Sequence, residues 1–264
     1  MKTPEAPGRL PAVFFGHGSP MVTIGDNAWT RAWRAVGESV GRPRAVLMVS
    51  AHWTTRGVAV TAMERPRTIH DFGGFPQPLY EIQYPAPGAP WLAERVRELL
   101  RPVDVALDTQ WGLDHGAWAV LRLAWPDASV PVVQLSLDLT RPAQWHLQQA
   151  RRLAALRDEG VLIAGSGNVV HNLRTVAWDD PDRPPFDWAA RFESWVRARV
   201  RAGDAEALAD YAAQGRDALL AVPTPEHYMP LLYVVAQRRA DEPVSFPMEG
   251  DQLGSISMLG VRVG

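Results

Sequence analysis

The chain has 264 residues, seven histidines, eleven tryptophans, no cysteine and a formal charge of −2. A chain of this length buries enough surface to fold without a disulfide or structural metal, and the lack of cysteine excludes thiolate-ligated zinc, iron–sulfur clusters and thiol nucleophiles. The near-neutral charge argues against a nucleic-acid partner, and any bound metal must be held by histidine and carboxylate.

Residues 1–10 contain Pro4 and Pro7 and lack an apolar core, so a loose N-terminal segment is expected there rather than a targeting signal. Pro11–Gly16 is a short apolar run that stops at Gly16-His17-Gly18-Ser19-Pro20, and Ala45–Ser50 is another, ending at Ala51-His52-Trp53. Val58–Met63 reads as a third strand. The proline-rich stretch from Arg65 to Pro90 predicts a long loop that is functional or carries minor structure. Pro90–Leu100 sets Leu92, Val96, Leu99 and Leu100 on one helical face. Val103–Leu107 reads as a strand, and a Gly112-Leu113-Asp114-His115-Gly116 loop leads into a helix at Ala117–Trp125. A strand at Val130–Leu137 and a helix at Pro142–Leu156 follow, then a strand at Val161–Ala164 that runs into Gly165-Ser166-Gly167-Asn168 and His171. Asp187–Arg201 repeats Phe192, Trp195, Val196 and Val200 at helical spacing and is closed by Gly203. Short helices at Asp204–Gln214 and Arg216–Ala221, a buried helix at Glu226–Gln237, and strands at Val244–Pro247 and Ser255–Val263 complete the pattern.

Strands alternating with helices predict an α/β fold, a single catalytic domain over residues 1–264 with a central, largely parallel mixed β-sheet flanked by helices. No apolar run approaches the roughly 20 residues of a membrane span. A cytoplasmic protein with no membrane partner is therefore expected, with a homo-oligomer left open.

Three histidines, His17, His52 and His171, follow predicted strands, and open α/β sheets bind ligands beyond the carboxyl ends of their strands. His115 and His227 lie where polar loops enter helices. His146, alone in a helix beside Trp145, reads as an ordinary buried polar residue. The Gly165–Asn168 run lacks the full phosphate-binding patterns. Ser166 misses both outer glycines of a nucleophile elbow and Ser19 precedes Pro20, so both read as loop residues rather than nucleophiles.

Six motifs now stand in order: Gly16-His17-Gly18-Ser19-Pro20, Ser50-Ala51-His52-Trp53, Thr68-Ile69-His70-Asp71-Phe72-Gly73-Gly74-Phe75-Pro76, Gly112-Leu113-Asp114-His115-Gly116-Ala117-Trp118, Gly165-Ser166-Gly167-Asn168-Val169-Val170-His171-Asn172 and Glu226-His227-Tyr228-Met229-Pro230-Leu231. With these motifs the chain resembles, over residues 11–263, the class III extradiol ring-cleavage dioxygenases of the DOPA 4,5-dioxygenase type. The resemblance implies cleavage of a DOPA-like or related catechol with O2 at a mononuclear non-haem Fe(II). It implies His17, His52 and His227 as metal ligands. His171 is then the catalytic acid–base or, with Zn(II) in the same site, a fourth ligand. His115 is implied as a second catalytic histidine in contact with substrate. His70 and Asp71 are implied in the pocket wall, with Tyr228, Trp53 and Trp118 as further candidates to meet substrate. Helix neighbours point about 100° apart, so only one of Glu226 and His227 is expected to ligate. The family match favours His227, leaving Glu226 behind it, at the helix start, or as the carboxylate of an alternative triad. Two other readings stay open here: a zinc-dependent hydrolase with His171 as base, and a non-catalytic metal-binding protein on the same scaffold.

Overall fold

Every residue of β1 (Ala12–Gly16) is buried, as in a strand covered on both faces. The structure, a computed structural model, describes residues 8–180 and 183–264. The remaining strands are β2 (Ala45–Thr54), β3 (Val58–Thr61), β4 (Val105–Asp108), β5 (Val132–Leu137), β6 (Val161–Gly167), β7 (Val244–Ser245), β8 (Asp251–Gln252), β9 (Ile256–Ser257) and β10 (Val261–Val263). Among the described residues eight of them form one sheet in the order β4-β3-β5-β2-β6-β1-β10-β7, and β8 pairs with β9 apart from it. The sheet is mixed: β1, β2, β5 and β6 run parallel, while β3 on β5, and β10 on β1 and β7, run antiparallel.

The helices are α1 (Ala28–Val40), α2 (Gln77–Tyr80), α3 (Pro90–Leu99), α4 (His115–Ala124), α5 (Ala143–Arg152), α6 (Ala155–Asp158), α7 (Asp187–Ala202), α8 (Ala205–Ala209), α9 (Arg216–Ala221) and α10 (Met229–Val235). They cover both faces of the sheet and divide the core in two. Phe14, Leu47, Leu135 and Ile163 face α3, α5, α7 and α10, whereas Val13, Phe15, Met48 and Leu162 face α1 and α4. None of the described helices is long and apolar enough to cross a membrane.

Several boundaries differ from the sequence reading. β2 continues past Ser50 to Thr54 through a register break, because Thr54 pairs with Leu137 and Thr55 donates to the Leu137 carbonyl. His52 thus sits inside a strand, not after it. α4 starts at His115, since Asp114 caps it by accepting from Ala117 N–H. The stretch 142–156 breaks into α5 and α6 at a tight turn that keeps both Leu153 and Leu156 buried. The final strand splits into β9 and β10, each paired with a different partner. Helix α10 begins only at Met229, where Pro230 occupies the first turn, so Glu226 and His227 lie in a turn before it and the helical-neighbour argument does not apply to them. The sequence reading missed α1, although Asn27 and Thr30 form a capping box and Trp33 and Val36 face the core. The expected loose segment lies, for residues 1–7, outside the described residues. Arg9 and Leu10 are tied down: Leu10 N–H donates to the Arg157 carbonyl (3.1 Å), and Arg9 pairs with Asp158 at 2.7 Å.

Candidate active site

Strands β2, β6 and β1 are neighbours in the sheet, and each delivers a histidine near its carboxyl end. His17 immediately follows β1, His52 sits near the end of β2, and His171 lies four residues past β6. The turn carrying His227 packs directly on β6. A Cβ on Gly167 would sit 3.0 Å from the His227 carbonyl carbon and would overlap its oxygen, so only glycine lets the two backbones meet. The same contact carries a hydrogen bond from Asn168 N–H to the His227 carbonyl (2.8 Å). The backbone group that would begin a phosphate cradle is thereby used. His115 enters from the first residue of α4.

The five rings converge. Centroids lie 5.1 Å apart for His17 and His52, 5.4 Å for His17 and His227, and 5.0 Å for His52 and His227. His115 lies 3.9 Å from His52, and His171 stacks on His227 at 3.5 Å. Ligating atoms fall into two groups, each within 4.8 Å: His17, His52 and His115, and His171, Glu226 and His227.

Hydrogen bonds set the direction of the lone pairs. Ser166 Oγ donates to the Gly116 carbonyl (2.6 Å), so it accepts from His17 Nδ1–H (2.9 Å). Asp71 Oδ2 stands 3.4 Å from His52 Nδ1. With its Nδ1–H on Ser166, His17 turns the lone pair of Nε2 toward His52 Nε2, 3.0 Å away. Two imidazole donors about 2.1 Å from one ion, at a right angle, would stand about 3.0 Å apart. A cation between them would take both nitrogens as ligands, so the residues fit a metal. His227 Nδ1, buried without a hydrogen-bond partner and 3.5 Å from Glu226 Oε1, is a further nitrogen that coordination or a closer carboxylate would satisfy.

The charge state suits this. Burial, then the neighbouring imidazoles, holds His17 and His227 well below the usual histidine range. Burial, then His115, lowers His52 to about 3, and burial lowers His171 to about 4. Neutral imidazole is the form that binds metal. Burial alone would raise the Asp71 carboxyl, but hydrogen bonds from His115 hold it below its ordinary value. Burial keeps Asp114 above its ordinary value, beside Asp71 and despite bonds from Ser50 and Gln134.

These histidines floor a cavity of about 270 Å³ whose walls are Phe72, Phe75, Leu173, Trp178, Leu253 and Ile256. Four expected contacts are absent from it. Tyr228 is fully buried behind the site, where its hydroxyl donates to the Leu208 carbonyl at 3.0 Å and its ring packs on Tyr211. His70 is a layer back, packed on Phe72 and bonded to the Ile82 carbonyl at 3.0 Å. Trp53 stacks on Trp111, and Trp118 is fully buried with its Nε1–H on the Ile69 carbonyl. The sequence reading passed over the wall residues Leu173, Trp178 and Leu253, which lie in irregular segments with no periodic pattern to mark them. Ser166 is no nucleophile: it is buried, and its hydroxyl is engaged on both sides. His146 is buried between Tyr233 and the Asp138 carbonyl, as expected.

The profile of the catalytic LigB subunit of aromatic ring-opening dioxygenase matches residues 14–239. The chain is 53% identical over 260 residues to the 4,5-DOPA dioxygenase extradiol of Escherichia coli (strain K12), across 97% of this chain and 95% of that protein. It is 40% identical over 226 residues to the 4,5-DOPA dioxygenase extradiol of Beta vulgaris, across 83% of each. A crystal structure of an uncharacterized protein from Escherichia coli K12 matches with a TM-score of 0.85 at 47% identity, covering 97% of this chain and 100% of that one.

Proposed function

The chain belongs to the family of catalytic LigB subunits of aromatic ring-opening dioxygenases and is a metal-dependent extradiol enzyme, and from this we propose that its histidine cavity cleaves a catechol with O2 at a single Fe(II). The observation that carries the proposal is the 3.0 Å approach of His17 Nε2 and His52 Nε2, with His17 Nδ1 held by Ser166 Oγ.

In this reading His17, His52 and His227 hold the metal. Fe(II), when bound, supplies a redox-active centre at which catechol and O2 meet, chemistry that Zn(II) in the same ligands lacks. The chain does the rest. Phe72, Phe75, Leu253 and Ile256 flank the ring and keep water from it. His171, on the cavity wall, takes a hydroxyl proton from the catechol and returns one as the ring opens. His115 meets the second hydroxyl. Holding both reactants in one cavity removes much of the entropic cost of their encounter. DOPA, the substrate in the names of the two relatives above, is the first catechol to test.

The test is anaerobic loading of metal-free protein with Fe(II) or Zn(II), then addition of O2 and a catechol panel that includes DOPA. Ring-opened product with Fe(II) alone is expected. Ester hydrolysis with Zn(II) alone would instead support a hydrolase, and bound Fe(II) with no turnover of any catechol a metal-binding protein.

A further inference from the structure

We propose that Asp71 is the positioning residue of this site: its carboxylate fixes His115 as the Nδ1–H tautomer, which leaves His115 Nε2 as a hydrogen-bond acceptor for substrate. The inference deepens the function proposed above and rests on it for the identity of the substrate, but the tautomer rests on geometry alone.

One carboxylate meets two donors. Asp71 Oδ1 accepts the backbone N–H of His115 at 2.8 Å, and Oδ2 accepts from His115 Nδ1 at 2.9 Å. The same Oδ2 stands 3.4 Å from His52 Nδ1. The His115 N–H is one of the first in α4, which have no partner inside the helix, and a carboxylate there also meets the positive end of the helix dipole. An ionised carboxylate only accepts, so the proton between Asp71 and His115 sits on Nδ1. His115 Nε2 is then bare, on a ring that lines the cavity.

The carboxylate is itself held in place. Residues 67–69 run beside Leu113, with Ile69 N–H on the Leu113 carbonyl at 2.7 Å and Leu113 N–H on the Arg67 carbonyl at 2.8 Å. Trp118 Nε1–H bonds the Ile69 carbonyl at 2.8 Å, and His70 is fastened to Ile82. Phe72 lies edge-on against His115. The long loop thus delivers Asp71 and a cavity wall together. Asp114, the nearest other carboxyl, is occupied by Ser50, Gln134 and Ala117 N–H and cannot take over.

Replacement by asparagine separates shape from acceptance. An amide has one accepting oxygen, so Asp71→Asn must either lose the His115 backbone N–H or turn its NH2 to Nδ1, which forces His115 to the Nε2–H form. The measurement is 15N NMR of the imidazoles in the Zn(II)-loaded protein, with His115 assigned by its loss in His115→Gln. The expected result is Nδ1–H in the wild type and, in Asp71→Asn, loss of either that tautomer or the His115 backbone hydrogen bond, read from its amide exchange. With metal in excess, stoichiometry should stay unchanged, and kcat/KM of the Fe(II) enzyme should fall roughly 10- to 100-fold. A wild-type His115 protonated on Nε2, an Asp71→Asn protein that keeps both the wild-type tautomer and the His115 backbone hydrogen bond, or activity lost only in step with bound metal would each overturn the proposal. The wild-type spectrum decides the tautomer even where the variant fails to fold. Inactivity of wild type toward every catechol, with the tautomer shift present, would overturn the proposed activity and leave the Asp71 assignment standing.

Discussion

Replacing Gly167 by alanine puts the central geometry under direct strain. The new Cβ would lie 3.0 Å from the His227 carbonyl carbon and 3.4 Å from its Cα, and inside the carbonyl oxygen. Neither side can yield by a rotamer change, because both are backbone. β6 is locked between β1 and β2, so the turn carrying His227 must move, by about 1 Å to restore ordinary contact. A site of this kind tolerates about 0.5 Å. Overpacking costs about 1–3 kcal/mol, a drop in Tm of roughly 2–12 °C at about 2–4 °C per kcal/mol for a chain of this size. Metal affinity should fall at least as far as when a residue behind a ligand is lost, roughly 100-fold. Gly37→Ala is the control: its Cβ would meet Ala124 Cα at 2.8 Å between α1 and α4, away from the cavity. Thermal melts and chelator competition read the two variants. Gly167→Ala is expected to lose both stability and metal, and Gly37→Ala stability alone. Wild-type metal affinity in Gly167→Ala, or equal metal loss in both, would refute the reasoning.

Ser166→Ala should weaken metal binding about 10- to 100-fold while the protein stays folded, because His17 loses the oxygen that fixes its tautomer; metal titration checks this. His171→Ala should abolish turnover and keep Fe(II) if His171 moves protons, whereas metal loss measured by elemental analysis would make it a ligand. Burial, then the charge of Glu193, raises the Asp251 carboxyl to about 7, against an opposing pull from Arg197. With the folded value above the unfolded one, the associated stability is fully present below about pH 4 and is lost as pH rises through about 7. The rise from 3.8 to about 7 amounts to about 4 kcal/mol at 1.36 per pH unit, which partial exposure reduces to about 2 kcal/mol. Asp251→Asn should therefore raise Tm at pH 8 by roughly 4–8 °C and change it little at pH 4; an equal gain at both pH values would sink this explanation.

The sheet and the three strand-end histidines were legible because buried parallel strands leave short Val-rich runs and the site lies where such strands stop. His17, His52 and His171 came from that rule. His227 was legible as a residue but not as a position, since two prolines around it favour a turn over the helix its neighbours suggest. Asp71 appeared only as part of a loop, because its meaning depends on Leu113 and Trp118, which hold residues 67–69 beside the head of α4. Tyr228 and His70 were misplaced for the converse reason: proximity in sequence to a motif does not fix which way a side chain points. Leu173, Trp178 and Leu253 came from irregular segments, where no periodicity exists to read.

The most direct measurement is O2 uptake alongside product formation by protein of known iron content. With one Fe(II) per chain and a catechol that is turned over, one O2 should disappear for each ring opened, and His17→Ala or His52→Ala should lose iron and O2 uptake together. Full iron loading with no catechol-dependent O2 uptake, or turnover that persists when both histidines are replaced, would contradict the account.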